Sequence, residues 1–179
     1  MIIGLCGKPD VGKTTIAKHF VEKFGFVHIN VGDPIKWMLA AFYRGLGLDQ
    51  AEIARRLTGD LKETPDPYLC GQSPRLAMQV TGKEGRDPID PMLFAHAWEL
   101  RLPKNCDVIA DGIRYPDEIT VLRRNGGVLI AVVRPGTETN GGGHVAEAGG
   151  LKADFTLINS GSLDDLLSRA EALRERCIK

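Results

Sequence analysis

Residues 7–14, Gly-Lys-Pro-Asp-Val-Gly-Lys-Thr, match G-x-x-x-x-G-K-[ST], the P-loop pattern that binds phosphate groups. Glycines let backbone amides converge on an oxyanion, and a following helix adds the positive end of its dipole. Lys13 would contact the β- and γ-phosphates of a nucleotide, and Thr14 would supply a hydroxyl to Mg²⁺. The predicted nucleotide-binding residues are Gly7, Asp10, Val11, Gly12, Lys13, Thr14 and Thr15.

The residues on either side of this motif support the same interpretation. An apolar run over residues 1–6 predicts a buried strand, and apolar residues at helical spacing run from Thr14 to Phe24. The alternative is a chance match in a chain with 21 glycines. A strand before the motif and a helix after it favour a working phosphate site.

The charge balance limits the partners of the chain. Lys plus Arg and Asp plus Glu number 23 each among 179 residues, so the formal net charge is zero. Nucleic-acid polymers are bound through clustered positive charge, so we expect no such partner. No apolar run approaches the roughly 20 residues that span a membrane, and the N-terminus lacks a secretory signal pattern. We therefore expect a cytoplasmic protein with reduced cysteines and no membrane contact.

Strand and helix patterns alternate along the chain. Beyond the first strand and helix, strands are predicted at residues 26–30, 107–110, 127–134 and 154–159. Helix starts are predicted at capping residues or N1 prolines, namely Asp33-Pro34, Asp49, Ser73-Pro74, Asp90-Pro91, Pro116 and Ser162. The alternation predicts an α/β fold in which helices cover both faces of a central parallel sheet.

Several polar residues follow predicted strands. Ligands of parallel sheets bind at the carboxyl ends of strands, so Asp33, Asp111 and Arg134 should converge with the P-loop on one cleft. The Asp111 carboxylate could hold Mg²⁺ opposite Thr14, or it could be a turn residue, since Asp-Gly is a common turn pair. Arg114 is either a further cation at the cleft or an exposed arginine at the start of a helix.

The segment from Arg75 to Arg86 has the composition of a phosphate clamp. Its two arginines and Gln79 lie near two glycines, and guanidinium forks match phosphate oxygens. The alternative is a solvated helix face. Asp33, Lys36 and Trp37 form another cluster beside a strand end. The Trp37 ring could stack on a base, although a core position is favoured for an isolated tryptophan.

Residues 135–150 are rich in glycine and include His144 and Glu147. Loops with glycine hinges often close over a reacting phosphate and exclude water, which predicts a flexible lid. The alternative is a disordered surface loop.

Taken together, the ordered motifs resemble the phage-type deoxynucleoside monophosphate kinases, within the P-loop nucleoside monophosphate kinases. The resembling segments are residues 7–14, 32–36, 73–75, Gln79 to Arg86, 113–118, His144 with Glu147, and Asp154 with 158–161. They cover most of the chain. Two departures stand out: the family's Asp-Val-Arg-Phe has its acid one place earlier here, at Asp111, and the family's His-x-Ser-Glu lacks its serine.

The resemblance implies a three-layer P-loop kinase domain over residues 1–179, with a sheet of about five strands. It implies a monophosphate-binding helical insert at residues 33–102 and a lid at residues 135–150. The implied reaction moves the γ-phosphoryl of ATP, with Mg²⁺, to a deoxynucleoside monophosphate. The implied magnesium ligands are Thr14 and Asp111. A homodimer, in the host cytoplasm if the chain is phage-encoded, is also implied.

Residue roles carry over onto matching positions. The residues implied to act on the transferring phosphoryl group are Lys13, Arg86, Arg114 and Arg134. The residues implied to bind the monophosphate are Asp33, Lys36, Trp37, Arg75, Gln79, Arg86, His144 and Glu147.

Two other functions stay open on the sequence. One is a P-loop kinase of a small metabolite, resembling those for gluconate or dephospho-coenzyme A, in which Asp33 would serve as the base. The other is a non-catalytic nucleotide-binding module. A GTPase switch is disfavoured because no guanine-reading N-K-x-D segment is present.

Overall fold

A computed structural model describes residues 1–86, 88–136 and 151–177. Five strands form one parallel sheet in the order β2-β3-β1-β4-β5. The strands are β1 Ile2–Cys6, β2 Val27–Asn30, β3 Val108–Ile113, β4 Val128–Val133 and β5 Phe155–Ile158. The helices are α1 Lys13–Phe24, α2 Asp33–Gly45, α3 Gln50–Leu57, α4 Pro74–Glu84, α5 Leu93–Glu99, α6 Pro116–Arg124 and α7 Leu163–Cys177, with a short 3-10 helix at Pro67–Leu69.

Alternation along β1 sends side chains to two helical layers. Ile3 and Leu5 belong to a buried cluster that includes Phe20 of α1 and Leu166 of α7. Gly4 faces the other side, where a Cβ would lie 2.8 Å from a methyl carbon of Leu122 in α6. Helices therefore cover both faces, and the predicted three-layer α/β sandwich with a five-stranded parallel sheet is confirmed.

The strand order creates a switch point at the middle of the sheet. The central strand β1 is paired with β3 on one side and with β4 on the other. Connections that leave in opposite directions from neighbouring strands open a crevice at the carboxyl edge. The loop after β1, residues 7–12, lies at this crevice.

The chain divides into two compact units. One consists of Met1–Val31 with Trp98–Lys179 and contains the whole sheet; the other is Gly32–Ala97. The second unit has its own buried cluster around Tyr43, Ile53 and Leu57, which α2 and α3 supply.

Local capping explains most helix starts and one difference from prediction. The Asp49 carboxylate accepts a hydrogen bond from the Glu52 amide at 2.8 Å, and the Ser73 hydroxyl caps α4 as predicted. Asp33, predicted as a cap, is instead the first residue of α2, and Gly32 holds the cap position. None of the helices in the described ranges has the length and apolar character that crossing a membrane requires.

Candidate active site

The loop between β1 and α1 has a backbone that requires glycine at two positions. Gly7 has φ +132° and Gly12 has φ +106°, both in the left-handed region. A Cβ on Gly7 would also overlap the carbonyl oxygen of Val132 in β4. The loop therefore forms a concave turn directly ahead of the α1 N-terminus, as the P-loop pattern predicts.

The Lys13 side chain folds back over this loop. Its Nζ donates hydrogen bonds to the carbonyl oxygen of Gly7 at 2.8 Å and to that of Lys8. Burial and the nearby Arg114 guanidinium lower the pKa of the Lys13 amine from its ordinary value, and the Asp111 carboxylate opposes that shift. Two cations and a carboxylate therefore meet at the mouth of the loop.

Asp111 lies inside β3, where a turn after the strand was the alternative expectation. Its Oδ2 accepts a hydrogen bond from the Thr14 hydroxyl at 3.1 Å. Burial alone would raise the pKa of this carboxyl group, but hydrogen bonds from His28, Asn30 and Thr14 outweigh it, and the pKa is lowered. Asp111 thus stays ionised near neutral pH.

Thr14 and Asp111 fit the donor set of a magnesium ion. A hydroxyl oxygen and an ionised carboxylate oxygen are the hard ligands that Mg²⁺ takes in phosphoryl-transfer sites. They lie at the carboxyl edge of β1 and β3, beside the phosphate-binding loop.

Further polar residues leave the ends of the other strands. The backbone amide of Arg114 donates to Oε2 of the buried Glu118 at 2.6 Å, which fixes the turn after β3. Arg134 directly follows β4, and Asn159 directly follows β5. The side-chain amide of Asn159 donates to the Val11 carbonyl oxygen at 3.0 Å, which ties the loop to the end of β5.

A pocket of about 410 Å³ opens at this edge of the sheet. The loop, the start of α1, Arg134 and the segment from β5 into α7 line it together. Its lining residues are Asp10, Gly12, Lys13, Thr14, Thr15, Arg134, Asn159, Gly161, Leu163 and Leu166. A pocket that combines charged groups, hydroxyls and leucines suits the phosphates and the base of a nucleotide.

The arginines predicted to clamp a monophosphate belong to the second unit. Arg75 is ion-paired with Glu63 at 2.7 Å. Arg86 is buried, and its Nη2 donates to the Pro91 carbonyl oxygen at 3.1 Å. Gln79 is exposed on α4.

Asp33, Lys36 and Trp37 share the first turns of α2. The Lys36 amine and the Asp33 carboxylate form an ion pair at 3.1 Å. Trp37 is 55% exposed, so the prediction of a core position was wrong. His144 and Glu147 lie outside the described residues.

Sequence reasoning missed His28 and Asn30. His28 Nε2 lies 2.9 Å from Asp111 Oδ1, and Asn30 Nδ2 donates to the same oxygen at 2.5 Å. Both are polar residues near the end of a predicted strand, and their separation by two positions places both side chains on one face of the sheet. This pattern could have indicated that they belong to the site.

The chain is similar in sequence to proteins that are named as kinases. The chain is 29% identical over 187 residues to a provisionally named deoxynucleotide monophosphate kinase of Acanthamoeba polyphaga mimivirus, covering 94% of this chain and 93% of that protein. It is 44% identical over 50 residues to a cytidylate kinase of Methanocella arvoryzae, covering 28% of this chain and 27% of that one. No family model matches the chain.

Solved structures of other proteins align with nearly the whole chain. Shikimate kinase from Aquifex aeolicus aligns over 98% of this chain and 96% of its own, with a TM-score of 0.48 and 12% identity. TT1252 from Thermus thermophilus aligns over 98% of this chain and 97% of its own, with a TM-score of 0.43 and 19% identity.

The sheet, the glycine loop and the Lys13–Thr14 start of α1 form a P-loop phosphate-binding site, and the similarity to relatives named as kinases supports phosphotransferase activity. The resemblance to the deoxynucleoside monophosphate kinases, predicted from motifs in order along the chain, is confirmed by the mimivirus relative.

Proposed function

We propose that the protein transfers the γ-phosphoryl group of ATP, with Mg²⁺, to a deoxynucleoside monophosphate, giving the diphosphate and ADP. The observation that carries the proposal is the meeting of Lys13, Thr14 and Asp111 beside the glycine loop. The mimivirus relative, similar over nearly its whole length, supports the choice of acceptor.

The reaction requires little acid–base chemistry from the protein. An oxygen of the acceptor phosphate forms the new bond to the γ-phosphorus, and the bond from that phosphorus to the β–γ bridging oxygen breaks. The second pKa of a phosphate monoester is about 6, so the acceptor is already largely ionised near neutral pH. Alignment and charge neutralisation are then the main tasks of the site.

The chain's own residues divide these tasks. Lys13 would exchange its contacts to the loop carbonyls for phosphate oxygens, and Arg114 and Arg134 would add positive charge around the transferring group. Thr14 and Asp111 would hold Mg²⁺, which would supply positive charge to the phosphate oxygens. Leu163, Leu166 and Asn159 would receive the base of the donor.

The monophosphate would be bound by charged and polar groups of the second unit. Arg86, Lys36 and Arg75 supply positive charge, Gln79 and Asp33 supply polar contacts, and the exposed Trp37 ring offers a stacking surface. His144, Glu147, a lid at residues 135–150, a homodimer and a cytoplasmic location complete the proposal and depend on the resemblance.

The experiment is ADP release from ATP and Mg²⁺ with each common deoxynucleoside and ribonucleoside monophosphate and, in parallel, with gluconate and dephospho-coenzyme A, with the phosphorylated product detected by chromatography. Lys13→Ala is the control. Turnover that needs a deoxynucleoside monophosphate and disappears in the variant would support the proposal and name the base.

Two other outcomes would refute it. Turnover only with gluconate-like or dephospho-coenzyme A-like acceptors would make the protein a kinase of another metabolite. ATP binding without acceptor-dependent ADP release would make it a nucleotide-binding module.

A further inference from the structure

The two carboxylate oxygens of Asp111 have different partners. Oδ2 accepts the hydrogen bond from Thr14 at 3.1 Å. Oδ1 accepts from Asn30 Nδ2 at 2.5 Å and lies 2.9 Å from His28 Nε2. An ionised carboxylate only accepts hydrogen bonds, so His28 Nε2 carries a proton and donates. Asp111 is 4% exposed, so these neighbours decide how its carboxylate is turned.

The fold places both donors beside Asp111. His28 and Asn30 are two residues apart on β2, so their side chains leave the same face of the sheet. The parallel register pairs His28 with Ile109 and Asn30 with Asp111 in β3. Ile29, between the two donors, is buried on the opposite face.

Neighbouring groups hold Asn30 in this position. The backbone carbonyl oxygen of Asn30 accepts a hydrogen bond from Arg101 Nη1 at 3.3 Å. The backbone of Gly112 passes beside its amide, where a Cβ would lie 3.3 Å from Nδ2. The amide of the next residue, Val31, donates to the Asp111 carbonyl oxygen at 3.3 Å, which joins the two strands at the site.

We propose that His28 and Asn30 are positioning residues for the divalent cation: by holding Oδ1 of Asp111, they direct Oδ2 to the cation that Thr14 also binds. The inference rests on the proposed function only for the binding of a metal–nucleotide complex beside the P-loop, and it does not depend on the acceptor.

Two opposing effects decide the size of the contribution. Donors on Oδ1 withdraw some negative charge from the carboxylate, which weakens its attraction for a cation. They also fix its orientation and satisfy an oxygen that would otherwise be buried without a partner. Loss of such outer partners typically lowers metal affinity by about 10- to 100-fold, so orientation is the larger effect.

The test measures metal binding directly. Calorimetry gives the affinity for a non-hydrolysable ATP analogue with Mg²⁺ and with EDTA, and paramagnetic resonance gives the affinity for Mn²⁺ in the presence of that analogue. We compare wild type with His28→Phe, His28→Gln and Asn30→Ala. Glutamine restores a donor near the position of Nε2, whereas phenylalanine keeps a ring without one.

A matched control exists in another part of the first unit. His19 Nε2 lies 2.7 Å from Glu171 Oε1, so His19→Phe removes the same kind of histidine–carboxylate pair between α1 and α7. His19→Phe should leave Mn²⁺ affinity within about twofold of wild type. Thermal melting of every variant reports folding, and if His28→Phe does not fold, Asn30→Ala carries the test.

We expect His28→Phe and Asn30→Ala, which each remove one donor to Oδ1 without adding charge, to lower Mn²⁺ affinity and the Mg²⁺-dependent gain in nucleotide affinity by about 10- to 100-fold. Their metal-free nucleotide affinity should stay within about twofold, and His28→Gln should recover most of the loss. Equal losses with and without metal, or an unchanged gain, would overturn the inference. A wild-type protein with no Mg²⁺-dependent gain would overturn the proposed magnesium site as well, whereas absent turnover with intact metal binding would refute only the proposed acceptor.

Discussion

The Thr14 hydroxyl donates a hydrogen bond to Oδ2 of Asp111 at 3.1 Å, although the two residues are 97 positions apart in the chain. The contact depends on the sheet, because Asp111 in β3 is paired with Leu5 in β1, and the loop and α1 follow β1 directly. Two oxygens of the kind that a hard cation prefers are thus brought together beside the loop.

Removal of the Thr14 hydroxyl should therefore weaken metal-dependent binding. We expect Thr14→Ala to lower the affinity for the Mg²⁺ complex of ATP by about 10- to 100-fold, and Thr14→Ser, which keeps the hydroxyl, to lower it far less. Calorimetric titration of both variants with Mg²⁺ and an ATP analogue measures this. Equal affinities for the alanine and serine variants would remove Thr14 from the metal site.

Lys13→Ala should lower turnover much more than stability. The amine is predicted to stabilise charge on the transferring phosphoryl group, and loss of one such group typically costs about 100- to 1,000-fold in kcat. Its hydrogen bonds within the described residues go to two loop carbonyls, so the thermal midpoint should move by no more than about 4 °C. Steady-state kinetics and thermal melting measure the two effects. Turnover like that of wild type in a folded variant would refute the site.

The second unit contains a buried network that should contribute strongly to stability. Tyr43, fully buried, donates its hydroxyl to Asp66 Oδ2 at 2.6 Å, and Arg56 Nε donates to the same oxygen at 3.0 Å. Tyr43→Phe leaves Asp66 with the arginine and should cost about 1–3 kcal/mol. Asp66→Ala removes the shared acceptor of Tyr43 and Arg56, although Arg56 keeps its ion pair with Glu52, and should cost about 3 kcal/mol.

Urea denaturation measures both free energies of unfolding. Tyr68→Phe is the matched control, because Tyr68 is 44% exposed and contacts Arg56 only through its ring face. It should change stability by less than about 0.5 kcal/mol. A larger loss in Tyr68→Phe than in Tyr43→Phe would contradict the assigned hydrogen bond.

The parts of the fold that the sequence predicted are those with local causes. Apolar runs bounded by glycine or proline predicted all five strands, and side-chain caps predicted the starts of α3 and α4. The P-loop was also predicted from the sequence, because its residues are contiguous in the chain. Helix α5 was predicted to start at Asp90-Pro91 but begins at Leu93, since helix ends depend on packing that spacing does not reveal.

The missed parts depend on contacts between distant segments. His28 and Asn30 matter only because β2 lies against β3 in one register, and a shift by one residue would turn both side chains to the other face. Trp37 was misplaced because α2 is apolar on several sides. Its buried face turned out to contain Leu39, Ala40 and Tyr43, which leaves Trp37 on the exposed face.

Asp154 should make the first unit sensitive to acid. Its Oδ2 accepts hydrogen bonds from Arg123 and, at 2.8 Å, from the Leu129 amide. Burial acts to raise the pKa of this carboxyl group, but those hydrogen bonds outweigh it and the pKa is lowered. The stabilisation is therefore present above the ordinary pKa of about 3.9 and is lost as the pH falls through the lower folded-state value.

Asp154→Asn should thus lower the thermal midpoint near pH 7. As the pH is lowered, the thermal midpoint of this variant should then fall less than that of wild type. Melting curves at pH 7, 5, 4 and 3 measure the difference between variant and wild type. That difference should shrink below about pH 4, where the unfolded carboxyl group is protonated. A constant difference across the whole range would show that Asp154 stabilises the protein without its charge.

Arg86→Ala should raise the KM for the monophosphate acceptor more than the KM for ATP. A hydrogen bond to a charged group is worth about 1.5–3 kcal/mol, which corresponds to an acceptor KM higher by about 10- to 100-fold. Because Arg86 also donates to the Pro91 carbonyl oxygen, thermal melting must accompany the kinetics, and Arg86→Lys keeps the charge while removing the fork. Lys83→Ala, a loss of the same charge from an exposed position on α4, is the matched control and should leave both KM values within about twofold. An unchanged acceptor KM in folded Arg86→Ala would show that this arginine stabilises the second unit and does not contact the acceptor.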